Sequence, residues 1–148
     1  MGDIFFNIKR IFNKEYQLVY QLKKEHKNLF KIYRQIDSKI KKRDFKEIHR
    51  LLELFYLRYK KHVLLEDNYF YAKLNSKYKE YENVMDFINL TKDELNDLTS
   101  SLDRFLLVYS SEEMIEKRFK EFLHDFEALG ERLKERVEFE ENRLYILY

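Results

Sequence analysis

Apolar residues recur every three or four positions along almost the whole chain. Ile4, Ile8, Ile11, Val19, Leu22, Leu29, Tyr33, Ile36 and Ile40 make one stripe, and Ile48, Leu52, Phe55, Tyr59 and Tyr69 a second. Tyr81, Met85, Ile88, Leu95, Leu98, Leu102 and Leu106 make a third, and Ile115, Phe119, Phe122, Phe126, Leu129 and Leu133 a fourth. This is the period of an α-helix burying one face. The first helix ends in the basic run KIKKRD, with a break near Asn13 that sets off residues 1–13. That short amphipathic segment could lie on an anionic membrane, but its stripe runs in phase with the rest of the helix, so packing is the expectation. The second helix is predicted over 45–74, with Asn75-Ser76 as the next turn, and the third over 77–109.

Capping signals punctuate these elements. Asp44 with Glu47 and Ser110 with Glu113 read as N-caps with an acid three residues on. Thr91-Lys92-Asp93-Glu94 carries the same signature inside the third stripe, which predicts a kink or a fresh start there. Short connections make neighbouring helices antiparallel. The expected architecture is therefore all-α: an up-down-up-down four-helix bundle, one domain over 1–148.

Composition narrows the chemistry. The chain has no proline and only two glycines, Gly2 and Gly130, too few turn residues for a strand protein. Its 12 Tyr and 13 Phe, without Trp, predict an aromatic core. There is no cysteine, which excludes disulfides, thiolate metal sites and thiol catalysis, and fits a cytoplasmic protein. No apolar run is long enough to span a membrane, and the N-terminus lacks a signal-peptide pattern. Net charge is +2, but residues 1–62 carry about +10 and the remainder about −8. Mutual attraction of the two halves within one bundle is the favoured reading, a basic face for an acidic partner the other; no nucleic-acid motif accompanies the charge.

Polar residues interrupt the stripes at a few places. His26 takes an apolar position in the first helix, His62 and Glu66 do so in the second, and Arg136 and Glu140 in the fourth. Buried polar groups must be satisfied, so these five residues are the candidate site. RVEFEENRLYILY from Arg136 also repeats the layout of HVLLEDNYFY from His62: a polar residue, a Glu four later, a second acid, then aromatic and aliphatic positions.

Residues 25–71, from EHKNLF to DNYFY, resemble the first two helices of a hemerythrin-like (HHE) domain, which has a helical His, a short loop and then His-x-x-x-Glu before an aromatic. The resemblance implies a four-helix bundle, often with two irons bridged by carboxylates, and places His26, His62 and Glu66 at ligand positions. Glu140 keeps the carboxylate place of the last helix. Arg136 stands where that family has His, and the third helix has no His where the family supplies one or two. The stretch from Gly130 to Arg136, followed by Glu140-Glu141, is also similar to the Rsd/AlgQ family of sigma-factor regulators. That likeness implies a protein partner from the transcription machinery.

Two readings of the core follow. His26, His62, Glu66 and Glu140 offer two nitrogen and two oxygen donors, enough for one Fe or Zn ion. Alternatively the core holds no metal, and the Arg136 guanidinium supplies the positive charge by bridging Glu66 and Glu140. The metal-free regulatory bundle that binds another protein is the leading expectation, and an iron-dependent oxygen or iron sensor or carrier the alternative. Neither is an enzyme, and no phosphate loop or nucleophile elbow is present. His49 reads as a boundary residue, His124 as solvated, Glu141 as a spare ligand or a surface acid, and Tyr33, Tyr59 and Tyr69 as core packing with polar tips.

Overall fold

A computed structural model describes the backbone of residues 2–148 and the side chains of residues 17–148. Four long helical rods form a bundle. The first is α1, Gly2–Lys41. The second joins α2, Phe45–Leu65, through a π-helical turn, Glu66–Tyr71, to α3, Ala72–Lys77. The third is α4, Glu82–Val108. The fourth starts with the short α5, Glu112–Lys117, and continues as α6, Phe119–Phe139. A second π turn, Glu140–Leu144, and a 3-10 turn, Tyr145–Leu147, complete it. No strand occurs among the described residues. No described helix is long and apolar enough to cross a membrane.

The connection between α1 and α2 explains how the two histidine-bearing helices are set. Arg43 adopts φ 53°, and its amide donates to the Ile40 carbonyl while that of Asp44 donates to Lys39, at 3.0 and 3.1 Å. This is the paired C-cap that usually carries glycine at its left-handed position. Arg43 accepts the conformation while its guanidinium lies 5.3 Å from the Phe119 ring centroid. Asp44 then caps α2, accepting from the Glu47 amide at 3.2 Å. The tight reversal makes α1 and α2 antiparallel and brings His26 level with His62.

Several local expectations are corrected. α1 runs unbroken through Asn13; the side chains of Ile4, Ile8 and Ile11 lie outside the described residues. The helix does not turn at Asn75-Ser76 but continues to Lys77. Leu74 is fully buried there, and Lys77 Nζ and the Tyr78 hydroxyl donate to carbonyls of Leu147 and Tyr148 at 2.8–3.1 Å. Thr91 starts no helix. Its hydroxyl donates to the Ile88 carbonyl at 2.9 Å, and burial of Ile88 and Leu95 on either side carries α4 straight through. The last cap is Ser111, accepting from Met114, one residue beyond Ser110. The fourth rod is also interrupted at Arg118, between α5 and α6, which no breaker residue announces.

The core is aromatic as composition suggests. Tyr109, Phe122, Phe70 and Tyr71 are each almost wholly buried. Gly130 has a packing role in it. Tyr33 stacks on Phe126 with centroids 4.2 Å apart and donates its hydroxyl to the Phe126 carbonyl at 3.0 Å. A Cβ on Gly130 would overlap that hydroxyl and the ring carbon bearing it. Gly130→Ala is therefore expected to destabilise the bundle by about 1–3 kcal/mol, despite alanine's helix propensity being better by about 1 kcal/mol. Urea unfolding measures this, and a midpoint at or above the parent's would contradict it.

Candidate metal centre

Two π turns shape the site, and each begins at a carboxylate, Glu66 or Glu140. A π turn holds one residue more than an α turn, so the stripe steps on by four and five positions instead of three and four. Phe70 and Tyr71 become buried after Glu66, and Leu144 and Tyr145 after Glu140. Tyr69, expected in the core, is 61% exposed for this reason. The sequence repeat is thus a structural repeat. Tyr71 leaves the second rod to meet Arg136 on the fourth, and Tyr145 leaves the fourth to meet Glu66 on the second.

His26, His62, Glu66 and Glu140 converge, with one donor atom from each lying within 4.8 Å of the others. All four are nearly or fully buried. The two histidines face each other through Nε2 at 3.1 Å. His62 Nε2 is 3.1 Å from Glu66 Oε1, and His26 Nε2 is 3.2 Å from Glu140 Oε1. Donors held at about 2.1 Å by one ion lie roughly 3.0 Å apart at right angles and about 3.4 Å apart at tetrahedral angles. These three separations fall in that range, while the full donor set spreads to 4.8 Å and would have to draw in slightly around one ion.

Each histidine is held from behind. His26 Nδ1 is 2.8 Å from Glu141 Oε2, and His62 Nδ1 is 2.9 Å from Glu25 Oε1. A carboxylate on one ring nitrogen fixes the tautomer that leaves the other nitrogen facing the site, which is how metal-binding histidines are commonly oriented. Tyr145 donates to Glu66 Oε1 at 2.7 Å and lies 3.2 Å from His26 Nε2. Glu66 Oε2 is buried with no hydrogen-bond partner among the described residues, as is Oδ1 of Asp67, the counterpart of Glu141 in the repeat.

Arg136 occupies the other side of the cluster, though not as expected. It donates from Nε to Glu140 Oε2 at 3.3 Å, from Nη1 to the Thr91 carbonyl and from Nη2 to the Tyr71 hydroxyl, each of the last two at 2.8 Å. It makes no hydrogen bond to Glu66. The guanidinium fork is committed to α4 and Tyr71, so the bridge between the two carboxylates is not formed.

Charges at the centre are strongly biased. Burial opposes ionisation of Glu66, but His62 and the Tyr145 hydroxyl overcome it and hold the carboxyl at about 2. Burial likewise opposes charging of His62, while Glu25 and Glu66 push its pKa up to about 10. Glu140 is raised, by burial first and then by the charge of Glu66. Tyr71 is pushed up to about 12, chiefly by burial.

Beside the donors is a small cavity of about 20 Å³, walled by Leu29, Phe55, Leu95 and Leu133. It has room for about one water-sized molecule.

Other candidates lie elsewhere. His49 is half-buried and donates from Nε2 to the Ser110 carbonyl at 2.9 Å, tying α2 to the start of the fourth rod. His124 is exposed. Tyr59 meets Thr99 Oγ1 at 2.9 Å. Sequence reading missed Glu25, Thr91, Tyr71 and Tyr145. The repeat from His62 and Arg136 was the available signal for the two tyrosines, which occupy equivalent places in it. Thr91 carries a capping signature instead, and Glu25 offers only its position next to His26.

The four-helix bundle, with buried His and Glu donors on three of its rods, defines a helical cation-binding class of protein. The profile of the hemerythrin family, described as the hemerythrin HHE cation binding domain, matches residues 17–148. The chain belongs to that family. No curated protein and no solved structure matches it.

Removing Arg136 would leave Glu140 buried without its guanidinium. Arg136→Met is expected to cost the metal-free protein about 3–5 kcal/mol, with part recovered in the double variant carrying Glu140→Gln. Equilibrium unfolding of the two variants checks this. Equal stability of parent and Arg136→Met would show that the guanidinium is not balancing the carboxylates.

Proposed function

We propose that this bundle is a non-enzymatic metal-binding domain holding one ion, with iron as the resident metal, and that it acts as a sensor or carrier. His26 and His62 through Nε2, with Glu66 and Glu140 through carboxylate oxygens, would hold the ion. The observation that carries the reading is the convergence of these four donors while Glu66 Oε2 stays buried and unpaired. Arg136 does not answer that oxygen, because the guanidinium is turned toward Thr91 and Tyr71. Two imidazoles and two carboxylates suit Fe or Zn, and cation binding is the property by which the family is described.

A bound iron would supply a redox-active Lewis acid inside an apolar wall. The protein's own groups do the rest. Glu25 and Glu141 aim the imidazoles, and Tyr145 holds Glu66 and donates toward the centre. Arg136 contributes a fixed positive charge on the side where a second cation would be needed to balance the carboxylates. The adjoining cavity admits a water-sized ligand but no organic substrate, which favours sensing or carriage over turnover of a metabolite.

Elemental analysis of protein made in iron-supplemented medium should find one ion per chain, lost in His62→Ala and in Glu66→Ala. Less than roughly a tenth of an ion per chain, without iron–ligand absorption in the near ultraviolet, would overturn the reading and return the core to a purely structural role. Arg136→His replaces the guanidinium with a donor, and metal content should then rise above that of the parent.

A further inference from the structure

A second polar constellation lies in the groove between α4 and α6, on the bundle's flank. Arg104 Nη2 and Arg132 Nη1 both donate to one oxygen, Ser101 Oγ, at 3.2 and 2.8 Å. Two guanidiniums drawn to one neutral hydroxyl repel each other, and the hydroxyl neutralises neither. Among the described residues neither arginine has an ion-pair partner, and Ser101 has no acceptor for its own hydrogen. Three other arginines are paired with acids: Arg50 with Glu47, Arg118 with Glu121 and Arg136 with Glu140.

The groove beside them has a volume of about 260 Å³. Its floor is apolar, formed by Phe105, Val108, Ala128 and Leu129. Its far end is acidic: Asp125 lines it and accepts from the Tyr109 hydroxyl at 2.6 Å. Tyr109 is eight residues beyond Ser101, about 12 Å along α4. The groove is therefore basic at one end and apolar in the middle, and its single acid is remote and already bonded.

We propose that this groove binds an organic phosphate monoester. Arg104, Arg132 and the Ser101 hydroxyl would take the phosphoryl group, and the apolar stem would lie over Phe105 and Leu129. A phosphoryl dianion suits the two guanidiniums because each can present a planar pair of N–H donors to its oxygens. Ser101 can keep one lone pair for an arginine and donate its hydrogen to a third oxygen. The apolar floor selects a ligand with a hydrophobic substituent over the bare ion.

The full chain can be titrated with phenyl phosphate and, separately, with inorganic phosphate, following amide and arginine side-chain NMR signals. Saturable shifts at Ser101, Arg104 and Arg132 are expected, with phenyl phosphate binding more tightly than inorganic phosphate. Arg104→Gln and Arg132→Gln should each weaken phenyl phosphate about tenfold, and the double variant should abolish the shifts. Both side chains are exposed, so folding should be unaffected, as circular dichroism can verify. No shift at millimolar phenyl phosphate, an unchanged affinity in the double variant, or inorganic phosphate binding as tightly as the ester would each overturn the proposal.

Discussion

Two carboxylates, Glu66 and Glu140, are buried side by side in the middle of the bundle, and the rest of the structure is arranged around that fact. Removing an ion from water costs several kcal/mol even after the protein relaxes, and two like charges together cost more. Something positive must be present. The fold provides Arg136 on one side and two imidazoles on the other, but Arg136 bonds only Glu140. Glu66 is left to His62 and to the Tyr145 hydroxyl, with one oxygen unpaired. This asymmetry is a feature that an ordinary, fully satisfied polar core would lack. A structural network satisfies each of its members, because a partly satisfied one is worse than an apolar core.

The π turns are the local device that makes the centre possible. In a continuous α-helix, Tyr71 and Tyr145 would lie out of register with the carboxylates preceding them. The extra residue in each turn swings the ring inward, so that its hydroxyl reaches across to the opposite rod. Because the turn recurs in the second and fourth rods, the site has an approximate two-fold plan. The halves differ most at His62 and Arg136, and Asp67 stands where the other half has Glu141. The imidazole can give up its proton and then present a nitrogen lone pair, whereas the guanidinium presents only donors. A guanidinium cannot be deprotonated in such a site, so the exchange fixes a permanent positive charge where the other half has an imidazole. This substitution and the absence of histidine in α4 leave four clustered His and Glu donors, the number a single ion would use.

Charge is distributed in keeping with this plan. The histidines of α1 and α2 belong to the basic part of the chain, and Glu140 and Glu141 to the acidic part. Contacts between the two parts are concentrated at the centre, at His26 with Glu140 and Glu141, with Lys60 and Asp103 meeting at 3.6 Å nearer the surface. Most other ion pairs lie within single helices. The groove at Ser101 departs from this pattern, since two cations share one hydroxyl there and its one acid, Asp125, is bonded to Tyr109.

The sequence by itself determined the class of fold and where the polar interruptions fall. Periodicity reports burial directly, and the steps from Phe122 through Leu133 to Arg136 and Glu140 keep one phase, as do those from Ile48 to Glu66. His26, His62, Glu66 and Glu140 were therefore legible as interior residues before any coordinates. Phase is lost only where the backbone changes pitch: the stripe points to Tyr69, but Phe70 and Tyr71 are the buried residues, because a π turn has no residue signature of its own. Partners were decided by tertiary structure alone. Whether Arg136 reaches Glu66 or Thr91, and that Glu25 and Glu141 stand behind the histidines, depends on how the rods are rotated and spaced. Helical periodicity gives the face a side chain is on, and packing between the rods gives the atom it meets.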